Sequence, residues 1–132
     1  MEISASIKGR PLYERLGGHQ GILKLVSSFY ADVRQHAVIG PIFNEQIKDW
    51  QAHLAEITEF WALQTGGKSK YGGGFAGAHM KLGLKPEHFQ HWLNLWEYNN
   101  ARHLAPAEAA EMNDLAHLFA SRLFAVTQRY GV

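Results

Sequence analysis

Apolar residues recur along this chain at steps of three and four, and no stretch alternates with a period of two. From His19 to about Gln35, Ile22, Leu25, Val26, Phe29, Tyr30 and Val33 fall on one helical stripe, which turns Tyr30 inward. Asp49 suits the N-cap of a second helix, whose continuous face carries Trp50, His53, Leu54, Ile57, Phe60, Trp61 and Gln64. Pro86 opens a third, with Phe89, Trp92, Leu93 and Trp96 on one face and His88 and His91 mainly on the other; Asn99, Asn100 and Arg102 are expected to fray its end. Pro106 starts a fourth, in which Met112, Leu115, Ala116, Phe119, Leu123 and Val126 keep the period. Two short helices are expected as well, Pro11 to Leu16, broken by Gly17-Gly18, and Phe75 to Leu82, ended by Gly83. Gly40-Pro41 marks a corner from which Ile42 and Phe43 turn back to the interior. The pattern predicts an all-α fold, with residues 1–10 a flexible lead-in and 11–132 a single domain.

Composition narrows the chemistry. The 132 residues suffice for one core, and a net charge of +1 sets up no field to attract nucleic acid or an acidic membrane. The absence of cysteine excludes disulfides, zinc-cysteine sites, iron-sulfur clusters and a thiol nucleophile, so any metal has to be held by imidazole or carboxylate. The first ten residues lack the apolar run of a signal peptide, and no segment approaches the ~18 apolar residues of a membrane span. The expectation is a soluble, cytoplasmic protein, monomeric or weakly oligomeric, with neither nucleic-acid nor membrane partners.

The loop GGKSKYGGG, which starts at Gly66, is too rich in glycine to nucleate a helix and too long for an ordinary connection. It leads to His79. A bulky prosthetic group presented with a single imidazole gives such a loop a reason, and a haem iron with His79 as its ligand suits it. A disordered surface loop before a solvated histidine fits that stretch equally well. His53 is one polar tooth in a greasy wall that continues through Ile57 and Trp61, as on one side of a small-molecule pocket; alone, such a histidine is most often a satisfied core residue, and Tyr30 most often a core tyrosine. A di-iron bundle needs two Glu-x-x-His pairs, whereas Glu87 and His91 have the wrong spacing and occur once. No nucleotide-binding glycine motif or HExxH zinc motif is present. What remains is His53 and His79, with Tyr30 and Trp92 on two more helices and phenylalanines between them: an axial ligand, an apolar slot and donors on the opposite face. A plain helical interaction domain is the competing reading.

Six separated signatures then occur in one order: Phe29-Tyr30, Gly40-Pro41-Ile42-Phe43, Trp50-x-x-His53-x-x-x-Ile57-x-x-Phe60-Trp61, Tyr71-x-Gly73, His79-x-x-Leu82 and His91-Trp92-Leu93. Together they cover most of the chain and resemble the truncated haemoglobins. The resemblance implies a two-over-two helical sandwich around a b-type haem, with His79 as proximal ligand, Phe43 stacked on the haem, Tyr30 as distal tyrosine, His53 and Ile57 as the distal-helix pair and Trp92 reaching the distal pocket. Phe60, Trp61, Tyr71, Phe75, Met80, Lys81 and Phe89 complete the expected lining, with Tyr71 and Lys81 ranked first for the propionates. The distal set is most similar to group III, while Leu12-Tyr13-Glu14-Arg15-Leu16-Gly17-Gly18 and Thr65-Gly66-Gly67 resemble glycine motifs of groups I and II. The implied function is binding of O2, NO and CO under Tyr30, His53 and Trp92. Three donors predict slow O2 release, which suits NO dioxygenation or peroxide use with a reductase partner better than oxygen delivery. His53 is a candidate sixth iron ligand or a gate. The alternatives are a haem-based redox or sensing partner and a non-catalytic helical interaction module.

Overall fold

The computed structural model describes residues 9–73 and 84–129, without the side chains of 123–129. Among them are six helices and no strand: α1 (Leu12–Arg15), α2 (Gly18–Gln35), α3 (Gly40–Gln46), α4 (Trp50–Gln64), α5 (Pro86–His103) and α6 (Pro106–Arg129). The expected lead-in falls mostly, and the expected Phe75 to Leu82 helix wholly, outside the described residues. No helix among those described is long and apolar enough to cross a membrane.

The stripe read from the sequence is the buried face of α2: Ile22, Leu25, Val26, Phe29, Tyr30 and Val33. That face packs on α4 and α5, and α5 packs on α6, so α2 with α4 and α5 with α6 make two layers of two helices. Each large apolar side chain taken fully from water contributes about 1.5–3 kcal/mol, and rings dominate this core: Trp96, Phe29 and Phe43 are its largest fully buried residues.

Local signals fix the helix ends. Asp49 caps α4, its Oδ1 accepting from the Ala52 N–H at 3.0 Å. The Lys85 N–H donates to His88 Nδ1 at 2.9 Å at the start of α5. Gly40-Pro41, expected as a corner, instead opens α3, because proline in a first helical turn gives up only an N–H with no helical partner. A second expectation is corrected by Asn99 and Asn100. They do not fray α5 but are wholly buried, and the helix runs on to His103. Their amides key three helices together: Asn99 Nδ2 donates to the Leu25 carbonyl at 3.1 Å and its Oδ1 accepts from Ser28 Oγ at 2.9 Å, while Asn100 Nδ2 donates to Asn113 Oδ1 at 2.8 Å.

A polar clamp holds α1. Arg15 Nη1 donates to Glu108 Oε2 at 2.8 Å, and its two terminal nitrogens reach Glu111 at 2.6 and 3.0 Å, tying α1 to α6. The Tyr13 hydroxyl meets His19 Nδ1 at 2.5 Å, His19 Nε2 lies 3.0 Å from Glu59 Oε2, and Glu59 Oε1 accepts from the Lys70 N–H at 2.8 Å. Gly67 makes room for the Tyr13 ring, and Gly21 for the turn that leads from α1 into α2. A Cβ at Gly67 would sit 2.3 Å from the Tyr13 ring, and one at Gly21 would sit 1.9 Å from the Leu16 carbonyl oxygen.

Candidate functional site

Four helices bring aromatic side chains to one place. Tyr30 of α2 is 3% exposed, and its ring centroid lies 6.0 Å from Phe43 of α3 and 5.8 Å from both Trp50 and His53 of α4. Phe29 bridges to α5, with its ring 4.7 Å from Tyr30 and 5.2 Å from Trp92. The edge of Trp50 meets His53 at 5.5 Å, and the Arg34 guanidinium lies over the Trp50 ring at 4.6 Å. Ile57 and Phe60 are buried on α4, and the half-buried Tyr71 ring lies 5.2 Å from Phe60. Trp61 turns to α5 and stacks on Trp96. Phe89 lines a groove of about 260 Å³ between α5 and α6, with Pro86, Leu93 and Ala120. His79, Phe75, Met80 and Lys81 lie outside the described residues.

The electrostatics follow from burial. Loss of solvent pushes the Tyr30 hydroxyl up to about 12, opposed by the nearby Trp92 indole N–H, so it stays a protonated donor at neutral pH. Burial holds His53 below the usual imidazole range and so favours the neutral ring, an effect partly opposed by the Glu56 carboxylate. His53 Nε2 and Trp92 Nε1 are sealed from solvent and make no well-formed hydrogen bond within the protein, Trp92 Nε1 only reaching toward the Tyr30 hydroxyl. A polar atom left so typically costs ~1–3 kcal/mol, which the protein tolerates where a ligand is to supply the partner. Two unpartnered nitrogens and a protonated phenol among packed rings fit a flat apolar group carrying a small polar ligand on one face. A single-site reading from the sequence placed Tyr30, His53, Trp92 and Phe43 together. It did not anticipate Trp50 with Arg34, or the Tyr13–His19–Glu59 relay, whose members lie too far apart in sequence for periodicity to pair them; the glycines at 18 and 67 were the available hint.

The comparisons agree with this architecture. The chain belongs to the bacterial-like globin family, whose model matches residues 11–121. Within it the chain is a truncated haemoglobin, a class whose cofactor is haem. It is similar to the group 3 truncated haemoglobin ctb of Campylobacter jejuni, 39% identical over 83 residues that span 59% of this chain and 65% of that protein, just under two thirds of its length. The crystal structure of a group III truncated haemoglobin from Campylobacter jejuni superimposes with a TM-score of 0.78 at 32% identity, covering 87% of this chain and 94% of the other. The 2/2 haemoglobin of Synechococcus sp. PCC 7002 shares the fold at a TM-score of 0.77 and 20% identity, covering 87% and 98% of the two chains.

Proposed function

We propose that the chain holds a b-type haem on His79 and binds O2, NO and CO beneath Tyr30, His53 and Trp92, with the ligand chemistry of a group III truncated haemoglobin. The observation that carries this reading is the pair of sealed, unpartnered nitrogens, His53 Nε2 and Trp92 Nε1, beside the protonated Tyr30 hydroxyl. On this reading Phe43, Ile57, Phe60 and Tyr71 are contacts of the haem, and Phe75, Met80, Lys81, Trp61 and Phe89 are carried as further contacts by the family resemblance alone. When bound, haem supplies a redox-active iron with one open coordination position.

The protein's contribution is orientation and dryness. The Tyr30 O–H and Trp92 N–H donate toward a ligand's outer atom, and neutral His53 donates or accepts according to its tautomer. Phe29, Phe43 and Trp50 keep water away from these donors, which strengthens each bond they make. Such a site retains O2, and the use it suits is NO dioxygenation or peroxide reduction with an external reductase rather than delivery. Visible spectra of the hemin-loaded ferric, ferrous and CO forms, with His79→Gly alongside, test the cofactor. A chain that stays colourless with hemin, or a His79→Gly variant with unchanged spectra, counts against the reading.

A further inference from the structure

Trp92, Trp96 and Trp61 lie face to face, Trp92 on Trp96 at 5.6 Å and 9°, and Trp96 on Trp61 at 4.8 Å and 15°. The other ring pairs described meet edge to face or at a tilt, the commoner geometry for aromatic packing. Indole is readily oxidised by one electron, and parallel indoles in contact share the resulting positive charge. In a chain without cysteine, tryptophan and tyrosine are the side chains most able to give up an electron.

The surroundings suit an electron donor kept from solvent. Trp96 is fully buried and Trp61 is 3% exposed. Phe29 packs on Trp96 at 4.8 Å and Phe119 on Trp61 at 5.6 Å, and benzene rings are too hard to oxidise to drain the charge. The Trp96 indole N–H donates to the Met112 carbonyl at 3.1 Å, an acceptor too weakly basic to remove its proton, so the charge is held as a radical cation. Arg34 over Trp50 disfavours a second positive charge there, which directs oxidation from the half-exposed Trp50 toward the stack. Trp92, the half-buried member, carries one end of the stack through Phe29 to the Tyr30–His53 cluster.

We propose that the Trp92–Trp96–Trp61 stack is a one-electron donor for hydroperoxides reduced in the Tyr30–His53–Trp92 pocket, refilled by a small reductant of the ascorbate class. The inference rests on the pocket reading above and adds to it the route and the reductant. Reduction of one hydroperoxide breaks the O–O bond and takes up two electrons and two protons, giving an alcohol and water. The stack yields the electrons one at a time, each loss leaving one indole radical cation. Two ascorbate monoanions restore it, each giving one electron and one proton and leaving as the ascorbyl radical. Beyond Trp61, Phe60 separates the stack from the half-buried phenol of Tyr71, a second oxidisable ring nearer the solvent.

The test is rapid-freeze electron paramagnetic resonance of the hemin-loaded protein mixed with hydrogen peroxide. The expected result is an organic radical whose hyperfine structure narrows with ring-deuterated tryptophan and not with ring-deuterated tyrosine, and which ascorbate quenches. In Trp96→Phe the indolyl signal is lost or greatly shortened in life. Because that substitution also removes the Met112 hydrogen bond, Trp61→Phe is measured in parallel and shortens the signal too. A radical that narrows only with labelled tyrosine, or an indolyl signal of unchanged yield and lifetime in both variants, overturns the proposal. Failure to take up hemin overturns the pocket reading and the hydroperoxide step with it, whereas hemin uptake without an indolyl signal overturns the role of the stack alone.

Discussion

The clamp around α1 and the cluster around Tyr30 are both polar groups set among apolar ones, and they are finished in opposite ways. In the clamp, Tyr13, His19, Glu59, Arg15, Glu108 and Glu111 all have partners within 3.0 Å. In the cluster, His53 Nε2 and Trp92 Nε1 have none in the protein. Completed polar networks add to stability, whereas incomplete ones subtract from it until something else is bound. Asn100 Oδ1, in the contact that holds α5 on α6, is buried without a partner as well, so what marks the site is the grouping of two such nitrogens with the Tyr30 hydroxyl rather than any one of them.

The strongest way to sharpen that contrast is to fill the incomplete region. Hemin bound only by the folded chain adds its binding free energy, so hemin at a free concentration about a thousandfold above its dissociation constant raises stability by ~4 kcal/mol, read as a higher urea midpoint. The clamp region breaks nearly as sharply. Gly21→Ala forces a methyl group against the Leu16 carbonyl and is expected to cost on the order of 3 kcal/mol in the same assay.

Matched removal of a hydroxyl separates the two regions further. Tyr13→Phe breaks a completed bond and lowers stability by about 1 kcal/mol, leaving O2 release unchanged. Tyr30→Phe changes the stability of the hemin-free chain by less than about 0.5 kcal/mol, and combined with Trp92→Phe, which costs stability through the lost contact with Trp96, it speeds O2 dissociation tenfold or more, as expected from losing a hydrogen bond of roughly 1.5 kcal/mol. An O2 dissociation rate unaffected by the double substitution would remove the distal-donor account.

The smallest effect is in acid. Glu59 is held below the usual carboxylate range chiefly by the Lys70 N–H, with help from His19, and Glu111 by the Arg15 guanidinium. A carboxyl lowered on folding is protonated first in the unfolded chain as pH falls. The stability it contributes is therefore complete above the unfolded value of about 4.3 and is lost as pH drops through the lowered folded value. Glu59→Gln is expected to lose stability less steeply than the parent below that pH, followed by circular dichroism.

Much of this was legible from residue order. The apolar period located all four long helices, Asp49 announced its cap, and the inward stripe put Tyr30 in the core. Gly40-Pro41 misled, because the same pair serves a corner or a helix start and only the packing of Phe43 decides between them. Asn99 and Asn100 misled for another reason: asparagine near a helix end ordinarily meets water, and these two are buried by partners 74 and 13 residues away. The parallel setting of Trp61 and Trp96 depends on the angle between α4 and α5, which the spacing of either helix does not encode.

The two buried asparagines carry a consequence for the order in which the protein is put together. They lock α2, α5 and α6 in register through amide bonds in which no cofactor takes part. A newly made chain is thus expected to reach its native outline while still colourless and to acquire its pigment last. If that pigment is later lost, what is left is a receptacle ready for another, not a polypeptide that has to begin again.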